Sequence, residues 1–458
     1  MTPRVGFAWT PDILHGKTVF RGGFGMFEAP VTIAAMGIDG KFSTNPDTNQ
    51  EGFSQTTTAL TTTNNYLTPN ATLSNPLPTG LLPASGSSLG LATFAGQAVT
   101  FLNPDVKSPY SLRWNFGFQQ SLTNNMVLEV VYIGNHSVHL PIDYTQLNGI
   151  PRALLSTLPV RDSSQSYLTS SVANPFKGLA TSANGSTATP AQLLAHFPEF
   201  PVGDSASGWS GSGGILEQNL NAGSSYFDSL NVRLQKRLSH GVSFVANYVY
   251  SKMIERVSWL NDSDPSPEKR VSTIDHPQRV VVALTYDVPF GQGRAHSIQS
   301  RALDAVVGGW TLNNVYTWQV GAPIAWENGS SSSPGDYVYF GNAPFDLNNR
   351  QVAPGQKAFD TALFDTAAAD ALQYHLRTFP TTFSTLRMDG ILQWDPSLLK
   401  RFTITEKASL QLRIEAYNVL NRPTFAAPST TASNSAFGTI TATANRFRTI
   451  QLGGRIVF

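Results

Sequence analysis

Cysteine is absent from the 458 residues, which excludes disulfide frameworks, thiolate metal sites and cysteine nucleophiles. Charge is scarce. Asp, Glu, Lys and Arg make up 13% of the chain, about half the ~25% of an ordinary soluble domain. The 31 basic and 30 acidic residues leave a net charge of +1, so no nucleic-acid partner is expected. Long apolar runs are also missing: no stretch of about 18 such residues occurs, and no transmembrane helix is expected. The opening MTPRVGFAWTPDILHG holds no uninterrupted apolar segment and does not read as a signal peptide. The histidines are scattered without metal spacing, and no two carboxylates stand out for acid–base work. GSGG at 211–214 and GQGR at 291–294 lack the Lys-Ser/Thr and helix of a phosphate loop. No catalytic residue, metal site or cofactor is therefore expected, and the chain does not read as an enzyme.

What the chain does have is alternation. Its last stretch, 446–458 (RFRTIQLGGRIVF), places Arg448, Ile450, Leu452, Gly454, Ile456 and Phe458 on one face of a strand. Phe447, Thr449, Gln451, Gly453, Arg455 and Val457 fall on the other. One mainly apolar face and one mixed polar face is the period-2 pattern of a strand with different surroundings on its two sides. In 109–122, Leu112, Trp114, Phe116 and Phe118 alternate with Arg113, Asn115, Gly117 and Gln119. In 226–238, Leu230, Val232, Leu234 and Leu238 alternate with Asn231, Arg233, Gln235 and Arg237. In 408–419, Leu410, Leu412, Ile414 and Ala416 face away from Gln411, Arg413 and Glu415.

Eleven strands are expected: 3–10, 17–27, 109–122, 126–135, 226–238, 242–251, 278–288, 310–320, 391–404, 408–419 and 446–458. Their connections alternate. Those at 11–16, 123–125, 239–241 and 405–407 are short, and about 289–306 is intermediate. Those at 29–107, 136–224, 252–276, 321–386 and 420–445 are long and rich in Ser, Thr, Asn, Pro and Gly, with a short helix expected near 190–197. At 123–125 the asparagines suggest a turn with positive φ. Short turns at one end and long loops at the other describe an up-and-down membrane barrel with periplasmic turns and extracellular loops. The fold class is thus all-β, an antiparallel transmembrane β-barrel in the outer membrane of a Gram-negative bacterium, with lipid around it. Tyr110, Tyr132, Tyr250, Trp310 and Trp318 suit interfacial girdles. A soluble sandwich or propeller also alternates, but such folds do not usually gather all long connections at one end. A secreted, soluble β-rich binding protein remains the third reading.

Bacterial single-chain barrels have even strand numbers. Eleven is half of the 22 of plugged outer-membrane transporters, and an open half-barrel would leave unpaired edges in lipid. The expectation is that residues 1–458 are the C-terminal part of a larger barrel domain.

The runs SPYSLRWNFGFQQSL, EVVYIGNHSVHL, FDSLNVRLQKRLSHGVSFVANYVYSK, DHPQRVVVALTYDVPFG, VVGGWTLNNVYTWQVGAPI and LQLRIEAYNVLNRPTF, with terminal Phe458, resemble the C-terminal half of the Oar-like TonB-dependent transporter family, its acidobacterial members especially. The resemblance implies a 22-stranded barrel with a plug and an N-terminal carboxypeptidase-regulatory-like domain outside this chain, together with an energy-coupling protein. It implies energised import of a ligand too large for porins, such as a glycan, peptide or chelate. A passive or adhesive surface barrel that binds partners through its loops is the alternative.

Arg113, Asn115, Gln119, Arg233, Gln235, Arg237, Asn313, Gln411, Arg413 and Glu415 are the candidates for contact with lumen contents, plug or substrate. Bracing the plug is the plainer role for them. Phe458 is the expected signal to the barrel-assembly machinery. The acidic stretch NDSDPSPE at 261–268 offers oxygen ligands for Ca²⁺ but lacks EF-hand spacing, and a solvated loop is preferred. Asp275 and His276, in DHPQR, are read as starting a strand at a loop base rather than as proton carriers.

Overall fold

All eleven expected strands are present. The computed structural model describes every residue except 1, 15, 30–61, 64–66, 82, 84–87, 89, 91–94, 97, 180–184, 204–213, 292–293, 327–335, 343–354 and 405–407. One large sheet contains an unbroken antiparallel path of eleven strands, each beside its neighbour in sequence. They are β1 (Arg4–Trp9), β2 (Thr18–Glu28), β3 (Tyr110–Thr123), β4 (Met126–Gln146), β5 (Ile215–Ser239), β6 (Val242–Arg256), β7 (Gln278–Asp287), β8 (Trp310–Gln319), β9 (Ile391–Thr403), β10 (Ser409–Tyr417) and β11 (Thr449–Val457). Among the described residues β1 pairs with β2 alone and β11 with β10 alone, so the path has two open edges.

The register makes one face continuously apolar. A single row of paired residues runs Trp9, Phe20, Phe118, Val130, Val232, Tyr248, Val280, Trp318, Leu392 across nine strands. The face stays open: Phe7 is 55% exposed, Phe116 54% and Leu452 75%. An apolar surface this large marks contact with something other than water. Where the backbone carries glycine, aromatic rings fill the gap. A Cβ built on Gly134 would meet the Trp114 indole across the strand, and one on Gly22 would meet the Phe7 ring.

Two strands run far beyond their expected ends. β4 continues to Gln146 and β5 starts at Ile215, so that 21 and 25 residues lie in them. Residues 138–146 pair with 216–224 through two register shifts. This extension breaks the period-2 pattern with Pro141 and Gly223, which is why 136–224 reads as one loop. Positive φ, expected near Asn124 and Asn125, occurs instead at the β5–β6 turn, where His240 (52°) and Gly241 (76°) both enter the left-handed region. That is the backbone of a tight two-residue hairpin turn. The connection at 405–407 lies outside the described residues, as does most of 29–107.

Most of the fully buried side chains lie in the loops, Ile142 of β4 being an exception. Ile324, Trp326, Tyr337, Phe359, Phe364, Phe379, Phe383 and Leu386 of the β8–β9 loop form one core with Phe425, Phe437 and Ile440 of the β10–β11 loop. Trp326 stacks on Phe364 at 5.8 Å, and Phe437 meets Phe359 and Phe364 edge-on at 5.3 and 5.2 Å. Backbone bonds join the two loops, from Gly355 N–H to Ile440 O (2.8 Å) and from Ala358 N–H to Gly438 O (2.7 Å). A smaller core of Ile150, Leu168 and Ala191 sits in the β4–β5 loop, beside the one-turn helix Pro190–Leu193.

Polar clamps tie four loops into one cap. Asp275 is 2% exposed; its carboxylate accepts from Met253 N–H (2.6 Å) and Arg387 Nη2 (2.6 Å). Arg387 Nη1 donates to Asp275 O and Gly321 O. His276 Nδ1 lies 2.9 Å from Val320 O and 3.0 Å from Gln319 Nε2. The DHPQR segment is therefore a fastening at the loop base. Asn418 and Asn421 adopt φ of 50°, and Asn418 Nδ2 bonds Arg422 O and Arg446 O, closing the top of β10.

Candidate functional site: the polar face of the sheet

The face opposite the apolar one carries the candidate residues. Strand pleating puts odd-numbered positions of β3, β5, β8 and β10 on that side. Gln119, Glu129, Arg233 and Asn247 are successive register partners across β3, β4, β5 and β6. Asn115 stands two same-face positions along β3 from Gln119, opposite Gly23 and Ile133. Arg113 Nε donates to Asn135 Oδ1 at 3.2 Å, and its guanidinium lies 5.0 Å from the centre of the Phe27 ring. Gln235 sits between Val127 and Val245. Arg237 lies past the last regular pair, its N–H bonded to Asn125 O at 2.8 Å. It is at the turn end of the strand, apart from the others.

The second group lies on β8 to β11. Asn313 accepts from Thr285 Oγ1 (2.9 Å) and donates to Ser397 Oγ (3.4 Å). Glu415 pairs in register with Ser397 and Gln451. Arg413 Nη1 lies 3.5 Å from Glu415 Oε1, with both side chains reaching solvent. Gln411 lies between Arg401 and Arg455 in register. The candidates thus form two groups on one face, separated by β7, whose same side bears Arg279, Val281 and Ala283.

Two shallow hollows mark the first group. One is lined by Arg21, Asn115, Gln119 and Glu129, the other by Glu129, Asn231, Arg233 and Asn247. Glu129 borders both. It and Arg21 escape a reading that lists the polar residues of the cleanest strands only; strand parity applied to 17–27 and 126–135 finds them. This surface offers guanidinium, amide and carboxylate groups on a fixed frame. It can bind by hydrogen bonding.

The acidic stretch near 261 differs from the solvated loop expected. Asp264 Oδ1 is ion-paired to Arg152 at 2.6 Å, and Asp264 Oδ2 accepts from Asn261 N–H at 3.0 Å. Asp262 packs over Gly149. Its carboxyl is pushed up to about 6, by burial first and the Asp264 charge second. Asp264 thus ties the β6–β7 loop to the β4–β5 loop, and among the described residues no group of three or more His, Asp or Glu is placed to hold a metal ion. Phe458 stands just beyond β11 and is 96% exposed.

Solved structures similar to this chain include the outer membrane transporter YddB from Escherichia coli (11% identity, TM-score 0.43, 100% of this chain and 40% of that one). The FrpB iron transporter from Neisseria meningitidis gives 8% identity and a TM-score of 0.39, covering 99% of this chain and 38% of that one. The siderophore receptor PirA from Acinetobacter baumannii gives 10% and 0.39, with 100% and 40% covered. The chain spans about two-fifths of the length of these proteins. No curated protein matches it. Residues 1–451 match the family model of the outer membrane beta-barrel domain, and with its up-and-down antiparallel sheet the chain belongs to that family and resides in the outer membrane.

Proposed function

We propose that this chain is the C-terminal half of a 22-stranded, TonB-dependent transporter barrel of the Oar-like, acidobacterial type, importing a large glycan, peptide or chelate. In that reading a plug and a regulatory-like domain accompany it, and an energy-coupling protein acts on the plug. The observation that carries the reading is the eleven-stranded path with two open edges, since unpaired strand edges in hydrocarbon cost several kcal/mol for each unsatisfied group. Eleven further strands of the same barrel satisfy both edges and reach the strand number of plugged transporters. The motif resemblance supports the subtype. On this reading the polar face is the lumen. Arg113, Asn115, Gln119, Arg233, Gln235, Asn313, Gln411, Arg413 and Glu415 then meet plug or ligand, and Phe458 presents the last strand to the barrel-assembly machinery.

The test is uptake by the source bacterium with the gene intact or deleted, using labelled glycan, peptide and metal-chelate pools too large for porins. Accumulation that depends on the gene and collapses with an uncoupler of the proton gradient is the expected result. Surface binding that depends on the gene, with no energy-dependent accumulation of any pool, supports the passive or adhesive barrel in its place.

A further inference from the structure

The β7–β8 connection is the exception among the short turns. It folds into a helix, Arg301–Val307, capped by Ser300, whose Oγ accepts from Leu303 N–H. The last turn of the helix is bonded to two side chains of the apolar face of the sheet. Trp310 and Lys400 are register partners on that face, and both reach the end of the helix. Trp310 Nε1 donates to Val306 O at 2.8 Å. Lys400 Nζ donates to Asp304 O at 3.3 Å and to Gly308 O. Lys400 is only 3% exposed and lies 5.1 Å from the centres of both the Trp310 and Phe402 rings. A cation on an apolar face is thus consumed by helix carbonyls and aromatic rings.

The helix itself is divided. Asp304 turns its carboxylate over Gly291 and Gly308. Leu303 (53%), Val306 (69%) and Val307 (37%) are exposed, and at 100° per residue they share one arc of the helix with Ala302. The helix is joined to the apolar face through Trp310 of β8 and Lys400 of β9, at the end of the short turns, where the barrel rule places the periplasm.

We propose that this helix is an interfacial anchor, lying in the periplasmic leaflet of the outer membrane with Leu303 and Val306 in the acyl boundary. Its partner is a phospholipid surface. Continuity with the apolar face argues for lipid: the same leaflet that covers Trp310 and Leu312 meets Leu303 and Val306 without a break. The turning of Asp304 toward backbone, and of Lys400 under the helix, removes two charges from that boundary, and Arg301 at the first helical position is the exposed charge that remains on the helix. Amphipathic segments of this kind bury their apolar side to a shallow depth at the headgroup level.

The 458 residues hold no cysteine, so within this chain an introduced cysteine is the one site of labelling, and any cysteine elsewhere in the gene product is first replaced by serine. Leu303→Cys and Val306→Cys, each bearing a nitrobenzoxadiazole label, are compared with Tyr316→Cys on the apolar face of β8 and Gln299→Cys just before the helix. The full gene product is studied in outer-membrane vesicles fused with spin-labelled phosphatidylethanolamine, and iodide serves as the aqueous quencher. The expected result is quenching at 303 and 306 by headgroup-proximal spin labels, with iodide quenching several-fold weaker than at 299. Position 316 is then quenched by deeper spin labels. Iodide quenching at 303 and 306 as strong as at 299 overturns the proposal, since the helix then lies in water. Protection from both quenchers overturns it too, since protein then covers the helix. Loss of lipid quenching at 316 as well removes the membrane placement of this whole face, and the anchor with it.

Discussion

Asp262 rests against the backbone at Gly149, with Asp264 beside it, and its proton is linked to the fastening of the cap. Its folded-state pKa of about 6 lies above the ordinary 3.8, so the folded chain holds this proton more tightly than the unfolded one. The sign follows from linkage: the contribution is fully present below the unfolded value and is lost as pH rises through the folded one. Cap stability at this residue therefore falls between about pH 4 and pH 6. Asp262→Asn should flatten that fall and raise the thermal midpoint at pH 7.5, read from the near-ultraviolet signal of the loop aromatics over a pH series. Arg387 gives the opposite kind of prediction. Its removal leaves the buried Asp275 with Lys252, 3.9 Å away, and the Met253 N–H as its partners, at a cost of at most about 3–5 kcal/mol. Arg387→Ala should open the β8–β9 loop to protease at concentrations that leave the wild type intact.

Strands and loops carry their information differently. In β3, Leu112, Trp114, Phe116 and Phe118 announce a strand because the two environments repeat every second residue. The same parity identifies the polar face, so the candidates on β3, β5, β8 and β10 were legible together. The register that brings Gln119 beside Glu129 and Arg233 depends on turn geometry, which strand periodicity does not carry. The cap was not legible. Trp326 and Phe437 meet in one core, yet they lie in different loops, far apart in sequence and separated by Ser, Gly and Pro with no period to connect them. The extension of β4 was hidden for a related reason, since Pro141 breaks the alternation while the ladder to β5 resumes on both sides of it. Within the sheet, Gly134 tests the fit of ring to backbone. A Cβ there would overlap the Trp114 indole at Cε2. Gly134→Val should displace the indole and cost about 1–3 kcal/mol, lowering the urea midpoint with a shift in tryptophan emission.

At the scale of the whole molecule, the hydrophobic core and the membrane surface are separate. The sheet exposes its apolar side, while the tightly packed interior sits above it in the loops. Trp326→Ala should remove about 3–5 kcal/mol from that interior. Because the core is shared, the β8–β9 and β10–β11 loops should become protease-sensitive together, while pairing along β1 to β7, followed by amide exchange, stays unchanged. Loss of one loop alone would contradict the shared core. The long strands have a consequence for height. At about 3.3 Å per residue, the 25 residues of β5 measure roughly 80 Å along the strand, against an apolar band of about 25 Å. By the barrel rule that long loops lie on the outer side, the tilted β4–β5 ribbon stands as a mast that holds its loop well above the apolar band. A bulky probe approaching from that side would then touch this loop before it reached anything at the level of the bilayer.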